Sequence, residues 1–312
     1  MDTRLLNVLC VVAIISLAGC TTQQGPSPSA AYIGGQNGFM VEFQADAPPK
    51  EVFDGGRYPF TAVVKIQNDG EFSVTKDKVR VTLTGVKAEE FSVTPNDLTK
   101  SPTDDMTAKR KDAAGNVIPS NPFFMEFKNL NHVQPIAGSA LEYPLRADVC
   151  YNYGTTGTAK LCSRSSILNP APNGICVINE GKSVSNSGSP VQITSLIETQ
   201  RAADKVAFTF KVQHVGKGLL YRRGTWCDKS QVVRINEQKV YVKVREPLGV
   251  ECVGLSGTTP SEGEVTLFEG QNTVTCTVPL ARPGDFEFPV VIDLNYDYED
   301  SVSTSFVVKH AE

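Results

Sequence analysis

The chain is poor in the residues that usually carry chemistry. It holds three His, four Met and one Trp among 312 residues. No H-E-x-x-H, G-x-S-x-G, P-loop or strand-borne G-x-G-x-x-G occurs, so zincin, nucleophile-elbow, NTPase and dinucleotide chemistries all lack their signatures. His132, His214 and His310 lie far apart, each near a turn or terminus, and read as ordinary solvated side chains. No cofactor motif is present, and the reading is non-enzymatic. There is no N-x-S/T sequon, so N-glycosylation is not implied. The net charge of −4, with no concentrated basic patch, argues against nucleic acid or an anionic membrane surface as partner. After residue 20 no apolar run approaches the about 20 residues that a bilayer crossing needs. Hydrophobic content of 40% with 21% charged residues describes a globular chain.

What is present begins at the N-terminus. Arg4 precedes a short apolar stretch from Leu5 to Leu17, which has the proportions of a signal-peptide core. It closes on Leu17-Ala18-Gly19-Cys20, which resembles the lipobox of prokaryotic lipoproteins. The resemblance implies cleavage after residue 19 and a diacylglyceryl group on Cys20. Two acyl chains give stable anchoring where one gives marginal binding. The expected partner here is therefore the cell membrane, reached through lipid, and the location is extracytoplasmic. Removing residues 1–19 leaves 293 residues. Residues 20–36, rich in Gly, Pro, Ser, Thr and Gln, read as a flexible tether.

Six of the eight cysteines remain after Cys10 leaves with the signal peptide and Cys20 takes the lipid: Cys150, Cys162, Cys176, Cys227, Cys252 and Cys276. An even number in an exported chain favours disulfides. No two of them are closer than twelve residues and no His lies nearby, which disfavours a zinc site.

Period-two alternation marks strands at Phe60–Ile66, Val79–Leu83, Val240–Val244 and Val274–Val278. A stretch near Leu196–Val206 hints at a helix. The fold class is all-β. Two segments then recur at nearly the same offset. Lys65-Ile66-Gln67-Asn68-Asp69-Gly70 returns as Lys211-Val212-Gln213-His214-Val215-Gly216, 146 residues on; Tyr143 to Tyr153 returns as Phe288 to Tyr298, 145 on. This predicts a tandem duplication, with one β-sandwich over 37–168, a linker at 169–189 and a second sandwich over 190–312. Short strands with frequent turn signals fit the immunoglobulin-like type.

The strand ending in Asn68-Asp69-Gly70 resembles the V-x-V-x-N-x-G strand and turn of CARDB-type and S-layer-associated modules. With the lipobox, the tether, the opening from Phe43 to Gly55 and the late Tyr-x-Tyr strand, the chain is similar to archaeal-type surface lipoproteins. The resemblance implies a cell-surface protein, for adhesion or envelope assembly, with an extracellular or envelope protein or glycan as partner. It implies no reaction. A solute- or Ca²⁺-binding surface lipoprotein is the alternative.

Gly154-Thr155-Thr156-Gly157-Thr158 reads as a hairpin turn centred on Thr156. That register sets Cys150 opposite Cys162 and predicts a Cys150–Cys162 bridge. Cys252–Cys276 is then a within-domain pair, and Cys176–Cys227 ties the linker to the second domain. The acidic run Asp293, Asp297, Glu299, Asp300 is the best metal candidate, with Asp297, Glu299 and Asp300 beside a turn where two or three ligands could hold Ca²⁺; a charged tip that discourages edge pairing is the plainer reading. Lys109-Arg110-Lys111, among acidic neighbours, reads as part of a long solvated loop. Tyr221-Arg222-Arg223-Gly224-Thr225-Trp226 is an aromatic-basic stretch suited to a sugar or peptide, although Trp226 beside Cys227 reads first as a core residue packed on a disulfide.

Overall fold

In the computed structural model, residues 31–166, 174–230 and 235–311 are described; the expected signal peptide over 1–19, and Cys20 with the rest of the expected tether up to residue 30, lie outside them. In chain order the first half gives β1 (Phe39–Phe43), β2 (Glu51–Phe53), β3 (Phe60–Asn68), β4 (Val79–Thr84), β5 (Thr99–Lys100), β6 (Arg110–Lys111), β7 (Val117–Ile118), β8 (Phe123–Leu130) and β9 (Ala140–Ser163). The second gives β10 (Ser185–Asn186), β11 (Val191–Ala202), β12 (Lys205–His214), β13 (Leu219–Tyr221), β14 (Lys239–Glu246), β15 (Glu251–Val253), β16 (Ser256–Thr259), β17 (Glu262–Thr266), β18 (Gln271–Pro279) and β19 (Phe286–Lys309). The protein is all-β, and the helical turns among the described residues are short 3₁₀ segments. The expected strands fall where alternation put them, and β3 shows why. Phe60, Ala62, Val64 and Ile66 are buried, while the residues between them are half-buried. The helix hinted at near Leu196–Val206 is not formed. That stretch is the end of β11 and the start of β12, an antiparallel pair running from Val191–His214 to Ala202–Lys205 with register shifts at Ile193/Ser195 and Gln200/Ala202.

Two strands of 24 residues dominate the molecule. β9 and β19 pair antiparallel along their whole length, from Phe286–Ser163 to Lys309–Ala140. They form the middle of a ten-stranded sheet whose path runs β16-β17-β14-β19-β9-β4-β5, with β10, β13 and β2 pairing at its flanks. A three-stranded sheet (β1-β3-β8) and a four-stranded sheet (β11-β12-β18-β15) pack on it, and one hydrophobic core runs through both halves.

The expected hairpin at Thr156 does not form, because β9 runs straight through it. Gly154 and Gly157 serve close packing rather than a turn. A Cβ on Gly154 would lie 2.5 Å from the Phe72 ring, and one on Gly157 would lie 2.5 Å from Ile193 Cδ1. The Thr residues between them are β-branched and favour strand. Odd-numbered residues face the core throughout, from Leu145, Ala147 and Val149 through Tyr151 and Tyr153 to Ala159 and Leu161. With Cys150 and Cys162 in one strand they lie about 40 Å apart, which excludes the expected bridge.

Both repeats place their recurring residues alike. Tyr153 donates its hydroxyl hydrogen bond to Asn68 Oδ1 at 2.9 Å, and 145–146 residues later Tyr298 Oη lies 2.9 Å from His214 Nε2. The backbone N–H groups of Phe72 and Gly218 donate to the same two hydroxyls. Gly70 and Gly216 are glycine for one reason: a Cβ would come within 2.0 Å of Tyr153 Oη or 2.4 Å of Tyr298 Oη. Tyr151 and Tyr296 accept from the first strand of each half, through the N–H of Phe39 and of Val191.

The halves are not joined by a linker alone. β9 begins under the three-stranded sheet, where Phe39 stacks on Tyr151 with centroids 4.0 Å apart. It ends under the four-stranded one, where Thr155 donates to the Val191 carbonyl. β19 crosses the other way. Its far end brings Phe306 to 5.2 Å from Phe60 and pairs with β2 in parallel. Each half thus lends the end of its long strand to the other, and residues 31–312 make one compact unit. Within the expected linker, Ser185–Asn186 pairs with β9 and Cys176 is bonded to Cys162.

Candidate functional site

Two of the three disulfides tie neighbouring segments to β9 of the large sheet, and the third lies within the four-stranded sheet. Cys252–Cys276 forms as expected, between directly paired residues of β15 and β18. The other two pairs differ from expectation: Cys150 bonds Cys227 and Cys162 bonds Cys176, in place of Cys150–Cys162 and Cys176–Cys227. Cys150 does point outward from β9, as alternation required. It is nevertheless buried, because the Arg222–Lys229 loop after β13 folds over it and bonds it through Cys227.

That loop is held by Asp297, a carboxylate only 4% exposed. Its Oδ2 accepts from the backbone N–H of both Thr225 and Trp226 at 2.8 Å, and its Oδ1 accepts from Asn152 Nδ2 at 3.0 Å. The clamp imposes left-handed backbone on two successive non-glycine residues, Trp226 (φ 55°) and Cys227 (φ 52°). Such backbone persists only where its surroundings over-determine it. Trp226 is therefore not a core residue. Trp226 is 36% exposed, with the Arg80 guanidinium 5.1 Å from its ring centroid and an Arg80 N–H donating to its carbonyl.

Beside the indole opens a cavity of about 360 Å³, lined by Lys78, Cys150, Asn152, Arg223, Gly224, Trp226, Asn295 and Asp297. Asn152 and Asn295 form its floor, each amide donating to the other's carboxamide oxygen at 3.3 and 3.1 Å. Arg223 lies over the Tyr241 ring at 3.3 Å. The floor sits at the centre of the long-strand pairing, where Asn152 faces Asp297. Sequence reasoning singled out Arg223 and Trp226 but missed Lys78, Arg80, Asn152 and Asn295. Lys78 just precedes β4 and Arg80 lies in it, while Asn152 comes from β9 and Asn295 from β19. Only the pairing of β4, β9 and β19 brings the four together, and no local pattern announces it.

The three acidic candidates do not converge. They lie on β19 rather than at a hairpin tip, and alternation sends Asp297 and Glu299 to the outer face and Asp300 to the core. Glu299 is buried between Lys229 at 2.9 Å and Arg146 at 4.0 Å, and burial raises its pKa against the pull of Lys229. Asp300 accepts from Tyr151 Oη at 2.5 Å, and burial pushes its pKa up to about 6. Among the described residues no group of three or more His, Cys, Asp or Glu is arranged to hold a metal ion.

His132 is buried in the fold, whereas the His310 side chain is 54% exposed and meets the fold through one carboxylate. His132 is 3% exposed and lies 3.0 Å from Tyr143 Oη, and His310 lies 2.9 Å from the buried Asp54. The Lys109–Lys111 region is a small hairpin, with β6 paired to β7, Met106 buried and Lys109 ion-paired to Asp69 at 3.4 Å. No helix among the described residues is long and apolar enough to cross a membrane.

Searches against protein families and curated proteins return no match. Among solved structures, the chain is similar at 10% identity to the secreted serine protease VesC from Vibrio cholerae, over 84% of this chain and 51% of that one, with a TM-score of 0.18. Red sea bream transglutaminase matches at 11% identity over 88% of this chain and 32% of its own, with a TM-score of 0.18. The native conformation of E. coli alpha-2-macroglobulin matches at 11% identity over 88% and 17%, with a TM-score of 0.16. The chain thus spans about half or less of each of these proteins, and scores this low say nothing about its fold or activity.

Proposed function

We propose that this chain is a lipid-anchored extracytoplasmic interaction protein, working in adhesion or envelope assembly without catalysis. The observation that carries the reading is the set of three disulfides, which uses every cysteine after Cys20. Such bonds persist in oxidising compartments, and the lipobox-like Leu17–Cys20 supplies the route there. Cys20 would carry the diacylglyceryl group, residues 20–36 would lift the folded part off the membrane, and the halves 37–168 and 190–312 would be immunoglobulin-like sandwiches of the surface-lipoprotein kind. The lent long strands make the body stiff, which suits a spacer that presents one face. The pocket beside Trp226 favours a second reading, a surface lipoprotein that binds a solute. Fractionation tests the anchor: Cys20→Ala moves the protein from the membrane to the soluble exported fraction. Membrane retention of that variant would overturn the anchor, and protease protection of the wild type in intact cells would overturn the surface location.

A further inference from the structure

The Trp226 pocket offers three kinds of group at once. On its rim, Arg223 makes no ion pair among the described residues and rests on Tyr241, while Lys78 is exposed and reaches only its sequence neighbour Asp77, at 3.6 Å. On its floor, Asn152 and Asn295 have spent their amide hydrogens on protein acceptors. Each carboxamide oxygen has accepted one bond from the other residue and keeps a second lone pair. The wall is the half-exposed indole. A fitting ligand has a C–H face for the indole, neighbouring hydroxyl donors for the paired oxygens and an anionic substituent for the two cations.

We infer that this pocket binds an acidic sugar residue, a uronate-type pyranose, of a surface polysaccharide. A bare phosphate or sulfate would leave the indole and the acceptors unused. A neutral sugar would leave Arg223 and Lys78 unused. An extended acidic peptide presents its N–H groups on alternating sides, whereas the two acceptors belong to one reciprocally bonded asparagine pair, which suits neighbouring hydroxyls of one ring. The site is also built before any ligand arrives: Asp297 fixes the Trp226 backbone and the Cys150–Cys227 bridge fixes the loop, which lowers the ordering cost of binding. The inference gives a ligand class to the interaction role proposed above and rests on it only for the ligand's place outside the cell.

Trp226 is the chain's only tryptophan, so its emission reports this pocket alone. The test titrates full-length, detergent-extracted, bridge-intact protein with trigalacturonate, the uncharged galactose trisaccharide, sodium sulfate and a glutamate-rich tetrapeptide. Trigalacturonate gives a saturable emission change, and Arg223→Ala weakens it about tenfold, the loss of one charge-assisted hydrogen bond. Lys78→Ala, on an exposed side chain, weakens it in the same direction, and far-UV circular dichroism checks that both variants fold. Equal binding of the neutral trisaccharide, a saturable response to sulfate or peptide without one to the uronate, or no response to any probe overturns the inference. Fractionation of the Cys20 variant reads the anchor independently, so either claim can fail alone.

Discussion

Placing a methyl group on Gly216 tests the packing that the two repeats share. A Cβ there would meet Tyr298 Oη at 2.4 Å, Pro190 Cβ at 2.5 Å and Pro190 Cα at 3.2 Å. The pyrrolidine ring is rigid, so relief requires the tyrosine to move. Movement breaks the hydrogen bonds that Tyr298 Oη makes with His214 Nε2 and with the Gly218 N–H, at 2.9 and 2.7 Å. Overpacking costs about 1–3 kcal/mol and each lost buried hydrogen bond about 1 kcal/mol. Gly216→Ala should therefore cost about 3–5 kcal/mol and lower Tm by roughly 6–20 °C, at the 2–4 °C per kcal/mol typical of larger domains. Gly70→Ala should cost at least as much, because two of its three clashes are with backbone carbonyls, Gly188 O at 2.6 Å and Asn37 O at 2.8 Å. The assay is thermal unfolding of oxidised protein, with Tyr298→Phe and the double variant completing a cycle. Removing the hydroxyl relieves the closest clash, so the double variant loses less than the sum of the two single changes. Gly115→Ala is the control: it has φ +89° and no atom within 4 Å, so it reads backbone strain alone. Wild-type stability of Gly216→Ala, or strict additivity in the cycle, would refute the packing argument.

Other expectations follow from the same geometry. Replacing Cys150 and Cys227 together by Ser opens a bridge spanning 77 residues and should cost about 4–5 kcal/mol by chain entropy, with a red shift of Trp226 emission as the loop loosens. Asp300 titrates near 6 in the folded state because burial disfavours its charge, above its ordinary 3.8. The unfolded chain then binds fewer protons across that window, so the Asp300 contribution is full below pH about 4 and is lost as pH rises through about 6. Asp300→Asn should flatten that part of the stability profile, by up to about 3 kcal/mol, in urea melts taken from pH 4 to 7. Residues 37–168 expressed alone should fail to fold, since Phe306 and Val308 of β19 complete that half's core; a cooperative melt of the fragment would contradict the lending of strands.

The sequence-derived expectations succeeded and failed for identifiable reasons. β3, β4, β14 and β18 each carry alternating apolar residues on one buried face, and alternation is a local signal. The 145–146-residue offset was legible because a tyrosine hydroxyl, a side-chain partner two residues before a glycine, and that glycine must stay matched in both halves. The Thr156 hairpin failed because glycine has two uses, and only the facing Phe72 and Ile193 reveal that here it makes room rather than turns the chain. The disulfide pairs then failed with it, since a bridge across that turn presupposes the turn. Trp226 was visible as a candidate, but its exposure depends on Asp297 holding the loop from 71 residues away.

The intact mass of membrane-extracted protein, with a non-reducing peptide map, tests the central claim most directly. The account predicts residues 20–312 plus a diacylglyceryl group, no free thiol, and bridged peptides joining Cys150 to Cys227, Cys162 to Cys176 and Cys252 to Cys276. A mass that retains residues 1–19, alkylation without reduction, or a peptide joining Cys150 to Cys162 would contradict it.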